Sequence, residues 1–130
     1  MIFDDCGDPQ IGWATPDFEL KVGTYDGNGI GDDTESWGAD GQRKLLWHGG
    51  ERDWNTSWAA GDIIGVAADL DTEGKGSLWF GKNGDWSVAF DSITAPKGLY
   101  PAMSLKNSTK VAVNLVRGPH PPCLIIKKGD

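Results

Sequence analysis

The chain has 130 residues, a formal net charge of −7 and 38% hydrophobic residues, which suits one domain with a buried core and excludes a disordered chain. That acidity argues against nucleic acid or anionic lipid as a partner, since Arg43-Lys44 and Lys127-Lys128 are the densest basic pairs and neither forms a stripe. No run reaches the roughly 18 apolar residues of a membrane span, and Met1-Ile2-Phe3-Asp4-Asp5 lacks the basic start of a signal peptide.

A cytoplasmic, intracellular location is therefore expected, with Cys6 and Cys123 as free thiols, because two cysteines near opposite ends make no disulfide framework. Seven Trp and 19 Gly against two Tyr fit a fold whose layers are filled by large rings and whose turns need positive φ.

Short apolar runs broken roughly every eight to twelve residues by Gly, Asp and Asn are the pattern of a sheet-on-sheet domain. In chain order, strands are predicted at Gln10–Thr15, Ser36–Ala39, Lys44–His48, Asp62–Asp69, Ser77–Gly81, Ser87–Phe90, Tyr100–Leu105 and Lys110–Val116. Residues 22–34 and 49–55 are rich in Gly and Asp and read as surface loops. Only Asp53–Ala60 has room for a helical turn or two, stopped by Gly61. Ile63–Ala68 is apolar throughout, as a central strand covered on both faces would be.

Asn83-Gly84 favours the left-handed conformations of a type I′ turn, so Ser77–Gly81 and Trp86–Phe90 should form a hairpin. Lys110–Leu115 alternates polar and apolar, which predicts one buried and one wet face. The segment 117–130 reads as a proline-containing C-terminal extension of the single domain 1–130, with Cys123–Lys127 a short edge strand.

From Gln10 to about Leu115 the chain resembles a SPRY domain, the core of the PRY-SPRY interaction module. The resemblance is carried, in family order, by Ile11-Gly12-Trp13-Ala14, Gly31-Asp32-Asp33, Ser36-Trp37-Gly38, Asp40-Gly41 and Trp47-His48. It continues through Gly61-Asp62-Ile63-Ile64-Gly65, Asp69-Leu70-Asp71, Asn83-Gly84, Ala89-Phe90 and Leu99-Tyr100-Pro101-Ala102. No single block is specific, but all of them in sequence are. The resemblance implies an all-β fold, a bent, concanavalin A-like β-sandwich of two antiparallel sheets that binds proteins.

The departure from the family is at the start. Family members usually have another strand, with a Trp-Tyr-Glu-Val-like pattern, where only Ile2-Phe3 stands here. A sheet without that strand would have an open edge. Pairing of this edge is expected, with Cys123–Lys127, another chain or no partner at all as the three alternatives.

The sequence carries no catalytic constellation. His48 and His120 are the only histidines, and no Ser or Cys lies in a nucleophile-elbow or Cys-His motif. His48, before Gly49-Gly50 at a strand end, reads as a structural or surface imidazole. Asp69, Asp71 and Glu73 have the period-two spacing that a glycosidase uses on this architecture, yet Gly74-Lys75-Gly76 follows at once, which reads as a solvated hairpin turn. The same residues imitate a calcium loop except that Phe80 stands where the bidentate Glu belongs. Gly27–Gly31 lacks the Gly-Lys-Ser/Thr of a phosphate loop. No enzyme activity, metal or cofactor is expected.

Trp13, Trp37 and Trp79 fall inside strand patterns and are expected in the core, with Trp54, Trp58 and Trp86 nearer the loops. In SPRY proteins that recruit short peptides to a ubiquitin ligase, a ring at the position of Trp47 helps line the pocket. The same comparison places Asn28 before the Gly-Asp-Asp block and Lys106, Asn107 and Ser108 after Tyr100-Pro101, converging with Trp47 at one end. The family often has a Trp where Asn107 stands, so the short motif of that subfamily is not the expected ligand.

The expected function is a non-catalytic protein–protein interaction module of a larger intracellular protein, such as a ubiquitin-ligase adaptor or scaffold. Its contacts would come from residues 22–34, 42–55 and 104–110, with Trp47 as anchor and Asp32, Asp33, Arg43 and Lys106 as rim polarity. The alternative is a carbohydrate-binding or glycan-cleaving sandwich, because exposed Trp faces stack on sugars.

Overall fold

In the computed structural model of the chain, residues 9–19, 29–105, 111–116 and 123–127 are described. Ile2-Phe3, Cys6, Asn28, Lys106, Asn107 and Ser108 lie outside them. Ten strands and no helix occur among the described residues. They are β1 Gln10–Ala14, β2 Ser36–Asp40, β3 Leu45–Trp47, β4 Glu51–Asp53, β5 Ile64–Leu70, β6 Lys75–Lys82, β7 Asp85–Thr94, β8 Tyr100–Ser104, β9 Ala112–Val116 and β10 Cys123–Lys127. They form two five-stranded antiparallel sheets, β4-β3-β2-β1-β8 and β7-β6-β5-β10-β9. Each sheet belongs to its own compact unit.

In the first sheet, the register places Ile11 opposite Ala39 and Ala39 opposite Leu46, with Trp13 opposite Trp37. All five are buried, so the period of two in the sequence becomes one apolar face. The β2–β3 hairpin turns on Asp40. Its fully buried carboxylate accepts from the amides of Gln42 and Arg43 at 2.9 Å each and from Arg43 Nε at 2.6 Å. Three donors, one of them charged, offset the cost of taking that carboxylate out of water.

In the second sheet, Ile64, Val66 and Ala68 of β5 and Leu78 and Phe80 of β6 form the buried face, with Phe80 and Phe90 edge-on at 6.4 Å between centroids. The β6–β7 hairpin turns at Asn83 (φ 52°) and Gly84 (φ 88°), the two left-handed residues a type I′ turn requires. The β5–β6 turn is shaped by Asp71, whose Oδ1 accepts from the amides of Glu73 and Lys75.

Several expectations are corrected. Residues 49–55 contain β4, because Trp54 N donates to Lys44 O and prolongs the β3–β4 ladder; Glu51-Arg52-Asp53 is exposed throughout, so hydrophobic patterning could not reveal it. The same bond keeps Asp53–Ala60 from coiling into a helical turn. Cys123–Lys127 is an interior strand, paired with β5 on one side and β9 on the other, not an edge. Among the described residues β9 is consequently the edge, and Val113, expected on the buried face, is 49% exposed. Trp79 is outward, since Leu78 and Phe80 on either side of it take the buried face, while Trp58 lies between strands as expected and is buried.

Two predictions follow from these turns. Asp40→Ala removes the shared acceptor of the Gln42 and Arg43 amides and of the Arg43 guanidinium, so urea unfolding should show a loss of about 2 kcal/mol; Asp40→Asn, which retains an acceptor, should lose less. The Asp71 carboxylate is held below its ordinary value chiefly by the Lys75 amide, against a desolvation that raises it, with further help from Glu73, the Lys75 charge and Gly74. A depressed folded value stabilises the fold above the unfolded value and is lost as pH falls through the folded one. Unfolding free energy should therefore drop below about pH 4, and Asp71→Asn should make that slope shallower.

Candidate functional site

The site predicted around Trp47 assembles in the first sheet's unit from three segments that the backbone ties together. Gly31 sits at φ 98°, and a Cβ there would collide with the Cβ and carbonyl of Trp47. A Cβ on Gly38 would collide with the carbonyl of Ile30. The loop 29–34 thus lies against β2 and β3 at contact distances that only glycine permits. Gly49 N donates to the carbonyls of Gly31 and Asp33, at 2.9 and 2.8 Å, joining this loop to the β3–β4 turn. Ile30 N donates to Ser104 Oγ at 2.7 Å, joining it to the end of β8.

Trp47 is half-buried in this assembly. The Arg43 guanidinium lies over its ring, 5.0 Å from the centroid, a cation–π contact contributing on the order of 0.5–1 kcal/mol at such a partly exposed position. Asp40 holds the other edge of that guanidinium, so the cation is oriented rather than free to sweep. The indole Nε1 of Trp47 is buried and has no hydrogen-bond acceptor among the described residues. The core ring of Trp13 has its Nε1 in the same state, so this feature is not particular to Trp47.

Arg43 and Trp47, both predicted as site residues, are therefore brought into contact. Asp32 and Asp33 are brought close to them, but their oxygens serve the loop. Asp33 Oδ1 accepts from Ser36 Oγ at 2.8 Å and from Glu35 N at 3.0 Å, while Asp32 accepts from Gly29 N and from Gln10 Nε2. Asn28, Lys106, Asn107 and Ser108 adjoin this region in sequence but are outside the described residues.

Leu105, 37% exposed directly after Ser104, falls in the expected contact segment 104–110, but the sequence did not single out Ser104 as the tie to the loop. Only the Ile30 bond singles that serine out, and such a long-range bond leaves no local pattern. His48 packs flat on Trp37, 4.5 Å between centroids and 9° apart, and its Nδ1 donates to Ser36 O at 2.8 Å. The sequence offered a structural or surface imidazole, and these contacts hold the ring at an exposed position.

Of the carboxylates near the β5–β6 turn, Asp71 is spent on the turn itself, where it caps the amides. No group of three or more metal-ligating side chains occurs among the described residues. No helix among them is long and apolar enough to cross a membrane.

Comparison with known proteins agrees with this architecture. The family model for the SPRY domain matches residues 2–118. The chain is similar to the E3 ubiquitin-protein ligase RKP of Arabidopsis thaliana, 34% identical over 118 residues. That match covers 88% of this chain and 9% of the ligase, so the chain spans about a tenth of its relative's length. With its two antiparallel sheets, its Gly-Asp-Asp loop seated on Trp47 and a match along nearly its whole length, the chain belongs to the SPRY family of protein-interaction domains.

Proposed function

We propose that this SPRY domain is a non-catalytic docking module of a larger intracellular protein, and that it holds a peptide or protein surface against Trp47. The observation that carries the reading is the Arg43–Trp47 pair, set among three segments that hydrogen bonds lock in place. A preorganised aromatic anchor with an adjoining cation is the composition of an interface hot spot, since little side-chain entropy remains to be lost on binding. The exposed Leu105 adds apolar area at the same end.

Asn28, Asp32, Asp33, Lys106, Asn107 and Ser108 complete the proposed contact surface, with Asp32 and Asp33 acting mainly by holding the loop in shape. The excess of carboxylates disfavours nucleic acid and membrane as partners. Similarity to a ubiquitin ligase supports a place in such an adaptor or scaffold, where the reaction itself would be carried by other domains.

The test is capture of partner proteins from cell extract by the immobilised chain, compared with Trp47→Ala and with a Trp47/Lys106 double variant. Trp47→Ala should cost about 2 kcal/mol or more of binding, and a rim charge considerably less, with the unfolding midpoint little changed. Parallel loss of capture and of stability would make Trp47 a packing residue and end this assignment.

A further inference from the structure

The second sheet has an outward face remote in sequence from the Trp47 loops. Across β5, β6 and β7 the register sets Gly65, Gly81 and Trp86 in one row and Ala67, Trp79 and Val88 in the next. The alternate residues Ile64, Val66, Leu78 and Phe80 are buried, so these two rows point to the other side. Trp79, Trp86 and Val88 are 36%, 40% and 43% exposed.

The Trp86 indole spans the two glycines beside it. A Cβ on Gly65 would come within 2.5 Å of its outer edge, and one on Gly81 within 2.7 Å of its ring junction. The glycine pair is thus a floor on which the ring lies against backbone, leaving its other side to solvent. Covering that backbone accounts for Trp86. It does not account for an exposed Trp79 and Val88 next to it, where a wet strand face would ordinarily present polar side chains.

The unmatched charges bordering the shelf are of one sign. Asp69, opposite Ser77 in the row beyond Trp79, and Asp91, past Val88 on β7, are exposed, and their carboxylates have no hydrogen-bond or ion-pair partner among the described residues. The lysines nearby are matched already, Lys75 with Glu73 at 3.3 Å and Lys82 with Asp62 at 3.5 Å. A two-tryptophan apolar surface edged by unmatched carboxylates is complementary to side chains that are cationic at the tip and aliphatic along the stem.

We infer that the β5–β6–β7 face is a second docking surface, for a basic and apolar segment of a partner protein. Arginine or lysine stems lie on the Trp79 and Trp86 rings with their heads at Asp69 and Asp91, and aliphatic residues meet Val88. This surface does not depend on the Trp47 site.

The experiment follows the indole N–H resonances of the full chain while it is titrated with a synthetic peptide of alternating Arg and Leu. A peptide with Glu in place of Arg and a neutral oligosaccharide, maltohexaose, serve as comparisons. The Arg/Leu peptide should shift the Trp79 and Trp86 signals and leave those of Trp13 and Trp37 in place. Its affinity should fall about fivefold or more in the Asp69→Asn/Asp91→Asn double variant and weaken as salt rises from about 50 to 500 mM. Trp47→Ala should leave the titration unchanged.

Equal shifts with the Glu/Leu peptide or the oligosaccharide, indifference to salt, or no shift of the two indoles would overturn the assignment. So would loss of binding in Trp47→Ala. Should the double variant lose stability, the peptide comparison and the salt series on the unsubstituted chain still decide.

Discussion

Close backbone approach over glycine is the constraint on which the candidate site depends. Gly31 and Gly38 have no room for a side chain, and their neighbours across the gap are Trp47 and the Ile30 carbonyl. Without that contact the loop 29–34 could not lie on β2 and β3, and the bonds from Gly49 and to Ser104 would have no partners at the right distance. The rigidity of a loop that carries no regular secondary structure comes from these few constraints. A recognition surface built so loses little entropy when it binds, which is how a small interface reaches useful affinity.

Much of the fold was legible because the signals are local. Asn83-Gly84 demands a particular turn, and the triplets around Ile11–Trp13 and Ile64–Val66 alternate in step with the pleat. What was not legible is non-local or cooperative. β4 is polar on both sides and exists because β3 offers it a ladder. Leu78-Trp79-Phe80 is uniformly apolar, so no pattern within it says that Trp79 is the residue turned outward; only the burial of its two neighbours decides. The pairing of Trp86 with Gly65 and Gly81 requires the register of three strands before it is visible.

The same contrast holds at the site. Resemblance to the family selected Trp47 and Arg43, and geometry brings them into contact through Asp40, a residue noted in the sequence only as part of a Gly-containing block. Asp32 and Asp33 were chosen as rim charges, yet their hydrogen bonds run into the loop's own amides and hydroxyls. Carboxylates in Gly-rich loops satisfy backbone donors first, and sequence alone does not separate that task from ligand contact.

The position of β10 bears on how the chain reaches its folded state. Residues 123–127 are threaded between β5 and β9, some sixty positions downstream of the strand they flank on one side. During vectorial synthesis β5 and β6 can zip together early, but the slot beside β5 stays empty until this segment leaves the ribosome. That long-range closure raises contact order and slows assembly, and it leaves an unpaired ladder transiently open to misjoining with other chains. Fusions or truncations that disturb the region around residue 123 would thus threaten the middle of a sheet, where damage spreads to both neighbours, and not merely a dispensable tail.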